Sequence, residues 1–110
     1  MRQWMVDPKI MCRQHLLGEH LEHHMFVGTI LKGGDITGFL ANNLLEPSSL
    51  AIRHSQLVEE MKRRGYNHHS PLPHFETVEC PATFIDRSAS LDELLRRCPE
   101  CRQRHEENKK

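Results

Sequence analysis

From Asp7-Pro8 to Lys32-Gly33-Gly34 the chain carries no signal that would stop a helix. Asp7 suits an N-cap, and Pro8 suits the first helical position, where its missing N–H has no partner to lose. Val6 and Met11 have the spacing of a hydrophobic staple. Gly33 can take the left-handed conformation that closes a helix at C′. A helix of this length takes up much of a chain of 110 residues, so the remaining elements must pack along it. Gly18 and Gly28 inside it weaken the helix unless another backbone approaches closely there.

The segments that follow are also helical. "ITGFLANNLL" after Asp35 reads as a short helix. "PSSLAIRHSQLVEEMKRRGY" has serine caps, an apolar stripe at Leu50, Leu57, Val58 and Met61, and Gly65 as its stop. "NHHSPLPHF" is a loop held extended by Pro71 and Pro73, and "FETVECPATFI" reads equally as a strand or as irregular chain. "SLDELLRRC" opens with Ser90 and Glu93 in capping-box spacing, and Pro99 should end that helix. The pattern predicts an all-α fold: a compact single-domain bundle of about three main helices with an irregular C-terminal segment. Residues 1–110 form one domain in this reading, with a flexible tail over about 103–110.

The formal net charge is zero, so no global field draws the chain onto nucleic acid or an anionic membrane. No apolar run reaches the eighteen or so residues of a membrane span. "MRQWMVDPK" lacks the apolar core of a signal peptide. A cytoplasmic protein with four reduced cysteines is expected.

"QHLLGEHLEHH" places four histidines and two glutamates on the first helix. At about 100° per residue, Ile10, Leu17, Leu21 and Met25 gather on one side, which is the expected core. Cys12, His15, Glu19 and Glu22 gather within about 80° on another side. Phe26 shares that side, so it is not uniformly wet. His20 and His24 fall between the two. Their i, i+4 spacing is that of zinc proteases, but the motif requires Glu directly after the first His, and Leu21 stands there. His20-Leu21-Glu22 echoes the H-x-E of zinc deaminases, but the P-C-x-x-C that completes it is absent. Cys98-x-x-Cys101 is a close thiol pair. With Cys80, and Cys12, His74 or His105, it would make a tetrahedral structural zinc site. His54, on the apolar stripe, reads as a satisfied core histidine. Lys62, Arg63 and Arg64 suit either phosphates or the negative end of their own helix.

"MRQW", "CRQHLLGEHLEHH" and "LVEEMKRRGY", with a weaker continuation in "SLDELLRRCPEC", resemble the pyrimidine dimer DNA glycosylases of the phage endonuclease V type and their cellular relatives. The resemblance runs from Met1 to about Gly65. It implies a compact set of helices that acts on double-stranded DNA as a monomer, without a cofactor. It implies attack on the sugar by the chain's N-terminal amine, followed by a lyase step. The family's essential glutamate on the first long helix falls on Glu22. Gln14 and His15 match the motif as substrate-binding residues, and Arg2 matches an arginine beside the nucleophilic terminus. With Arg at position 2 the initiator Met is retained, so Met1 would supply the amine. An α-amine, with an ordinary pKa of about 7.7–8.0, is partly neutral and nucleophilic at physiological pH.

The match departs from the phage members where substrate is gripped. Leu21 and Met25 stand in place of basic residues, Ser90 and Leu94 in place of further cations, and "CPECRQRHEENKK" in place of an aromatic tail. The expected substrate is therefore a pyrimidine dimer or another damaged or modified base. The rival reading is a non-catalytic nucleic-acid- or protein-binding module of the same fold, stabilised by zinc.

Overall fold

The computed structural model describes residues 1–68, 71–73 and 83–109. Among them are five α-helices: α1 (Arg13–Leu31), α2 (Thr37–Ala41), α3 (Leu50–Arg63), α4 (Arg87–Arg97) and α5 (Pro99–Asn108). No strand occurs among the described residues, and the fold is all-α. The stretch read as strand or irregular chain lies almost wholly outside them.

The long first helix is interrupted. Asp7 caps as expected, its Oδ1 accepting from the Lys9 N–H at 3.0 Å, but Pro8–Ile10 forms only one 3₁₀ turn. Met11 and Cys12 are extended, and α1 starts afresh with Cys12 as its N-cap. Two distant arginines hold the break by taking carbonyls that a continuous helix would bond internally. Arg64 Nη2 donates to Met11 O at 2.8 Å and Pro8 O at 3.1 Å, and Arg104 Nη2 donates to Lys9 O at 3.1 Å. Arg64 Nε also pairs with Glu60 at 2.7 Å. This guanidinium thus serves the backbone, where the sequence suggested phosphates or the helix dipole.

The buried face of α1 is not the apolar one. Leu16, Glu19, His23, Phe26 and Val27 are inside, whereas Leu21 and Met25, expected in the core, are 60% and 48% exposed. The polar side turns inward because α3 compensates it. Arg53 grips Glu19 with both arms of its fork, Nε to Oε2 at 2.7 Å and Nη2 to Oε1 at 2.9 Å. His23 Nε2 meets the same carboxylate at 3.1 Å, and Arg53 Nη1 donates to Val6 O at 2.5 Å. Burial pushes the Glu19 carboxyl up, but the hydrogen bonds from Arg53 and His23 outweigh it and hold it down at about 2. Along both helices this network falls between two apolar clusters. One contains Trp4, Ile10, Met11, Leu16, Leu57, Met61 and Leu94, the other Phe26, Val27, Leu40, Leu45 and Leu50. Nothing lies within 4 Å of a Cβ built on Gly18 or Gly28. Among the described residues no other backbone makes use of the close approach these glycines would permit.

Gly33 and Gly65 end α1 and α3 in the left-handed region, at φ 70° and 83°. Both positions were legible as stops. Asp35 leads into α2, its Oδ1 accepting from Thr37 N at 2.9 Å. α4 starts one turn earlier than the Ser90–Glu93 spacing suggested, because Asp86 Oδ1 caps it through Ala89 N at 3.0 Å. Ser90 is consequently interior and buried. Pro99 ends α4 and also begins α5, with Cys98 as N-cap between them. The stretch expected to be a flexible tail is helical to Asn108.

The α2–α3 connection is tied to α4 by two side chains. Asn43 Nδ2 donates to Phe84 O at 2.7 Å, while its Oδ1 accepts from Asp86 N at 2.8 Å. Buried Glu46 accepts from Ile85 N at 2.8 Å and Arg87 Nη1 at 2.7 Å, and also takes the Ser49 hydroxyl.

Candidate functional site

Residues 1–6 thread between α1, the α2–α3 connection and α4. Gln3 N donates to Leu44 O at 2.8 Å, and its side-chain Oε1 accepts from Glu46 N at 2.5 Å. Ser90 Oγ donates to Trp4 O at 2.5 Å. These anchors bring the chain's start to Glu22, whose Oε2 accepts the Arg2 N–H at 3.1 Å. The Met1 α-nitrogen lies no more than about 4 Å of covalent path from that N–H. Met1 itself is 39% exposed.

Arg2 is half-buried. Its guanidinium stacks 4.0 Å over the Trp4 ring, and Nη2 donates to Ser90 Oγ at 2.9 Å. Burial, then the neighbouring Arg97 charge, lowers its pKa. Trp4 packs edge-on against His15, ring centroids 5.7 Å apart. Gln14 is exposed on α1. Of the five residues singled out for the chemistry, the fold gathers Met1, Arg2 and Glu22. It connects His15 to them through Trp4 and leaves Gln14 on the outer surface. Trp4 was not singled out, and Ser90 was read only as a helix cap and as standing in place of a cation. Their part depends on contacts across the whole chain, with nothing local to mark it.

His15 also belongs to a second constellation. Its Nδ1 lies 3.1 Å from Cys12 Sγ and 3.7 Å from Cys101 Sγ, and Cys98 Sγ lies 3.7 Å from Cys12 Sγ. One ligand atom from each of Cys12, His15, Cys98 and Cys101 lies within 4.8 Å of all the others, a set that can hold a metal ion. The three thiols are free and buried. The zinc site read from the sequence centred on Cys80, Cys98 and Cys101. The observed set keeps Cys98, Cys101 and Cys12, one of the fourth ligands offered, and adds His15, while Cys80 and His74 lie outside the described residues and His105 takes no part. The signal was available: Cys12-x-x-His15 repeats the spacing of Cys98-x-x-Cys101.

A third cluster lies about 160° around α1 from Glu22. His20, His24, His54 and His68 pack ring on ring, with centroids 4.8–5.4 Å apart in the five pairs that touch. His54 is buried as expected, but its Nε2 has no hydrogen-bond partner among the described residues; the same holds for Nε2 of His20 and His24. Burial, reinforced by the neighbouring imidazoles, lowers the pKa of His20 and of His54 to about 4. His54 and His68 also line a groove of about 1000 Å³ with Ser48, Lys62, Pro71 and Leu72.

No helix of the described residues is long and apolar enough to cross a membrane. No curated protein and no solved structure matches the chain. The family model described as pyrimidine dimer DNA glycosylase matches residues 1–74, and the chain belongs to that family.

Proposed function

We propose that this protein is a DNA glycosylase with AP-lyase activity that works through a Schiff base on the Met1 α-amine. The observation that carries the reading is the hydrogen bond from Arg2 N–H to Glu22 Oε2, which ties the start of the chain to the one carboxylate the family's chemistry requires. The neutral amine attacks the sugar C1′ as the bond to the base breaks. The base leaves with the bonding electrons and is protonated. The Glu22 carboxylate stabilises the cationic sugar as it forms. Loss of a proton from the nitrogen and ring opening give the imine. Glu22 then takes a proton from C2′, and those electrons expel the 3′ phosphate. Nucleophile and base both come from the chain, so the reaction calls on no cofactor.

Arg2 has guanidinium donors beyond the one given to Ser90, and these suit a backbone phosphate. Gln14 is exposed on α1, which supports a role in substrate contact. Leu21 and Met25 lie on the outward side of α1, and around the helix Gly18 falls between Met25 and Glu22. An exposed apolar pair suits insertion beside an unstacked base, in place of the basic grip of the phage members. The substrate is thus a lesion in double-stranded DNA, pyrimidine dimer or other.

The test is strand cleavage of duplex DNA carrying an abasic site, beside ultraviolet-irradiated duplex. The wild-type chain cuts the abasic duplex, and Glu22→Gln loses about 10²–10⁴-fold in rate. Binding without cleavage by the wild-type chain would show a non-catalytic nucleic-acid-binding module instead.

A further inference from the structure

We propose that Cys12, His15, Cys98 and Cys101 bind a single zinc ion as a structural site. This inference stands apart from the glycosylase reading. With Zn–S of about 2.3 Å and Zn–N of about 2.0–2.1 Å, a tetrahedral site has S···S edges of about 3.8 Å and S···N edges of about 3.5 Å. The Cys98–Cys12 and Cys101–His15 separations of 3.7 Å, and the Cys12–His15 separation of 3.1 Å, already approach that figure.

The backbone around the thiols is arranged in the same sense. Cys12 and Cys98 are the N-caps of α1 and α5, and their sulfurs accept from His15 N and Cys101 N, each at 3.4 Å. Cys101 Sγ accepts from Cys12 N at 3.1 Å. All three sulfurs therefore receive a backbone N–H, which favours thiolate and orients it. Each pair spans the first turn of a helix, from the N-cap onward, and the two turns face one another. On binding, each thiol gives its proton to solvent. His15 donates the Nδ1 lone pair and keeps its proton on Nε2.

The ion would clamp α5 and the start of α1 together across 86 residues of chain, between Cys12 and Cys98. It would also fix His15, against which Trp4 packs, with Arg2 stacked over Trp4 in turn. That part of the inference, a zinc-positioned N-terminal arm, rests on the glycosylase reading. Metal content does not, so the two fail separately.

Metal analysis of full-length protein, purified without chelator, should find zinc. Exchange with Co²⁺ should produce a thiolate-to-cobalt charge-transfer band that Cys101→Ser loses. His15→Cys, which supplies another thiolate, should keep the metal and shows that its loss elsewhere is not mere unfolding. A folded wild-type chain that gives no thiolate–cobalt band and whose thiols react equally with and without zinc overturns the proposal.

Different observations lead us to infer a second metal site at His20, His54 and His68. Their ligand nitrogens lie within 4.8 Å of one another, and His24 packs against two of the rings. Buried imidazole nitrogens at His20 and His54 have no partner among the described residues, although buried polar atoms nearly always find one. A first-row divalent cation of the kind imidazole favours, zinc, nickel or copper, would supply it. The groove beside His54 and His68 leaves room for a further ligand. Protein carrying a single equivalent of zinc, at the thiolate site, and titrated with Ni²⁺ should take up about one further equivalent without a thiolate band. His54→Ala and the rim variant His68→Asn should each abolish that uptake. Uptake absent from the wild-type chain, or unchanged in both folded variants, overturns the site.

Discussion

Arg53 is the side chain on which the interior most depends. It satisfies both oxygens of Glu19 and the carbonyl of Val6 from a position 2% exposed. Arg53→Ala leaves the buried Glu19 carboxylate with His23 alone and should lower stability by about 3–5 kcal/mol, read by urea unfolding. The double variant with Glu19→Ala should lose less than the sum of the two single losses, because both remove one network. Glu46 gives a pH signature. Burial raises its pKa, but Arg87, Ser49 and the Ile85 N–H outweigh that and lower it from 4.5 to about 2. A carboxylate depressed in the folded state contributes stability above its unfolded pKa and loses it as pH falls through the folded one. Stability should therefore fall between pH 4.5 and 2, and the fall should be shallower in Glu46→Gln. An equal slope in both proteins would remove this assignment. The inward turn of Glu19 was not legible in the sequence for a definite reason. Its partner lies 34 residues away, and apolar periodicity within one helix cannot register a compensating charge on another.

At the level of helices, local chemistry was more informative. The glycine stops of α1 and α3 and the Asp35 lead-in to α2 follow from backbone conformation at single residues, and sequence shows them directly. The break at Met11–Cys12 does not show, because the arginines that accommodate it come from α5 and the end of α3. The face of α1 was misassigned for the same reason as Glu19. Ile10 and Leu17 do meet the core, but Leu21 and Met25 of the same apolar stripe stay outside, and the buried stripe of α1 is the mixed one. Two helix substitutions separate structure from function. Asp86→Ala removes the α4 cap and should cost about 1 kcal/mol. Gly18→Ala meets open space within the protein and should stabilise α1 by about 1 kcal/mol in thermal unfolding. If Gly18 admits DNA close to α1, the same variant should lose cleavage while gaining stability.

Across the molecule, residues 1–12 meet α4 and α5. Residues 1–6 are held by α1, the α2–α3 connection and α4, while α5 reaches back to Cys12 and Lys9. The thiol and imidazole cluster sits at this junction, so chelation should loosen it first. Hydrogen exchange of α5 amides should speed up on metal removal, with α3 amides changing less. The Cys12–His15 half of the cluster was legible as a spacing, but sequence alone could not place it opposite Cys98–Cys101. The most direct test of the whole account is borohydride trapping on duplex DNA with an abasic site, followed by mass mapping of the linked peptide. The account expects a covalent adduct on the Met1 α-amine, absent after amine blocking and strongly reduced in Glu22→Gln. An adduct on a lysine, or none with intact folded protein, would contradict it.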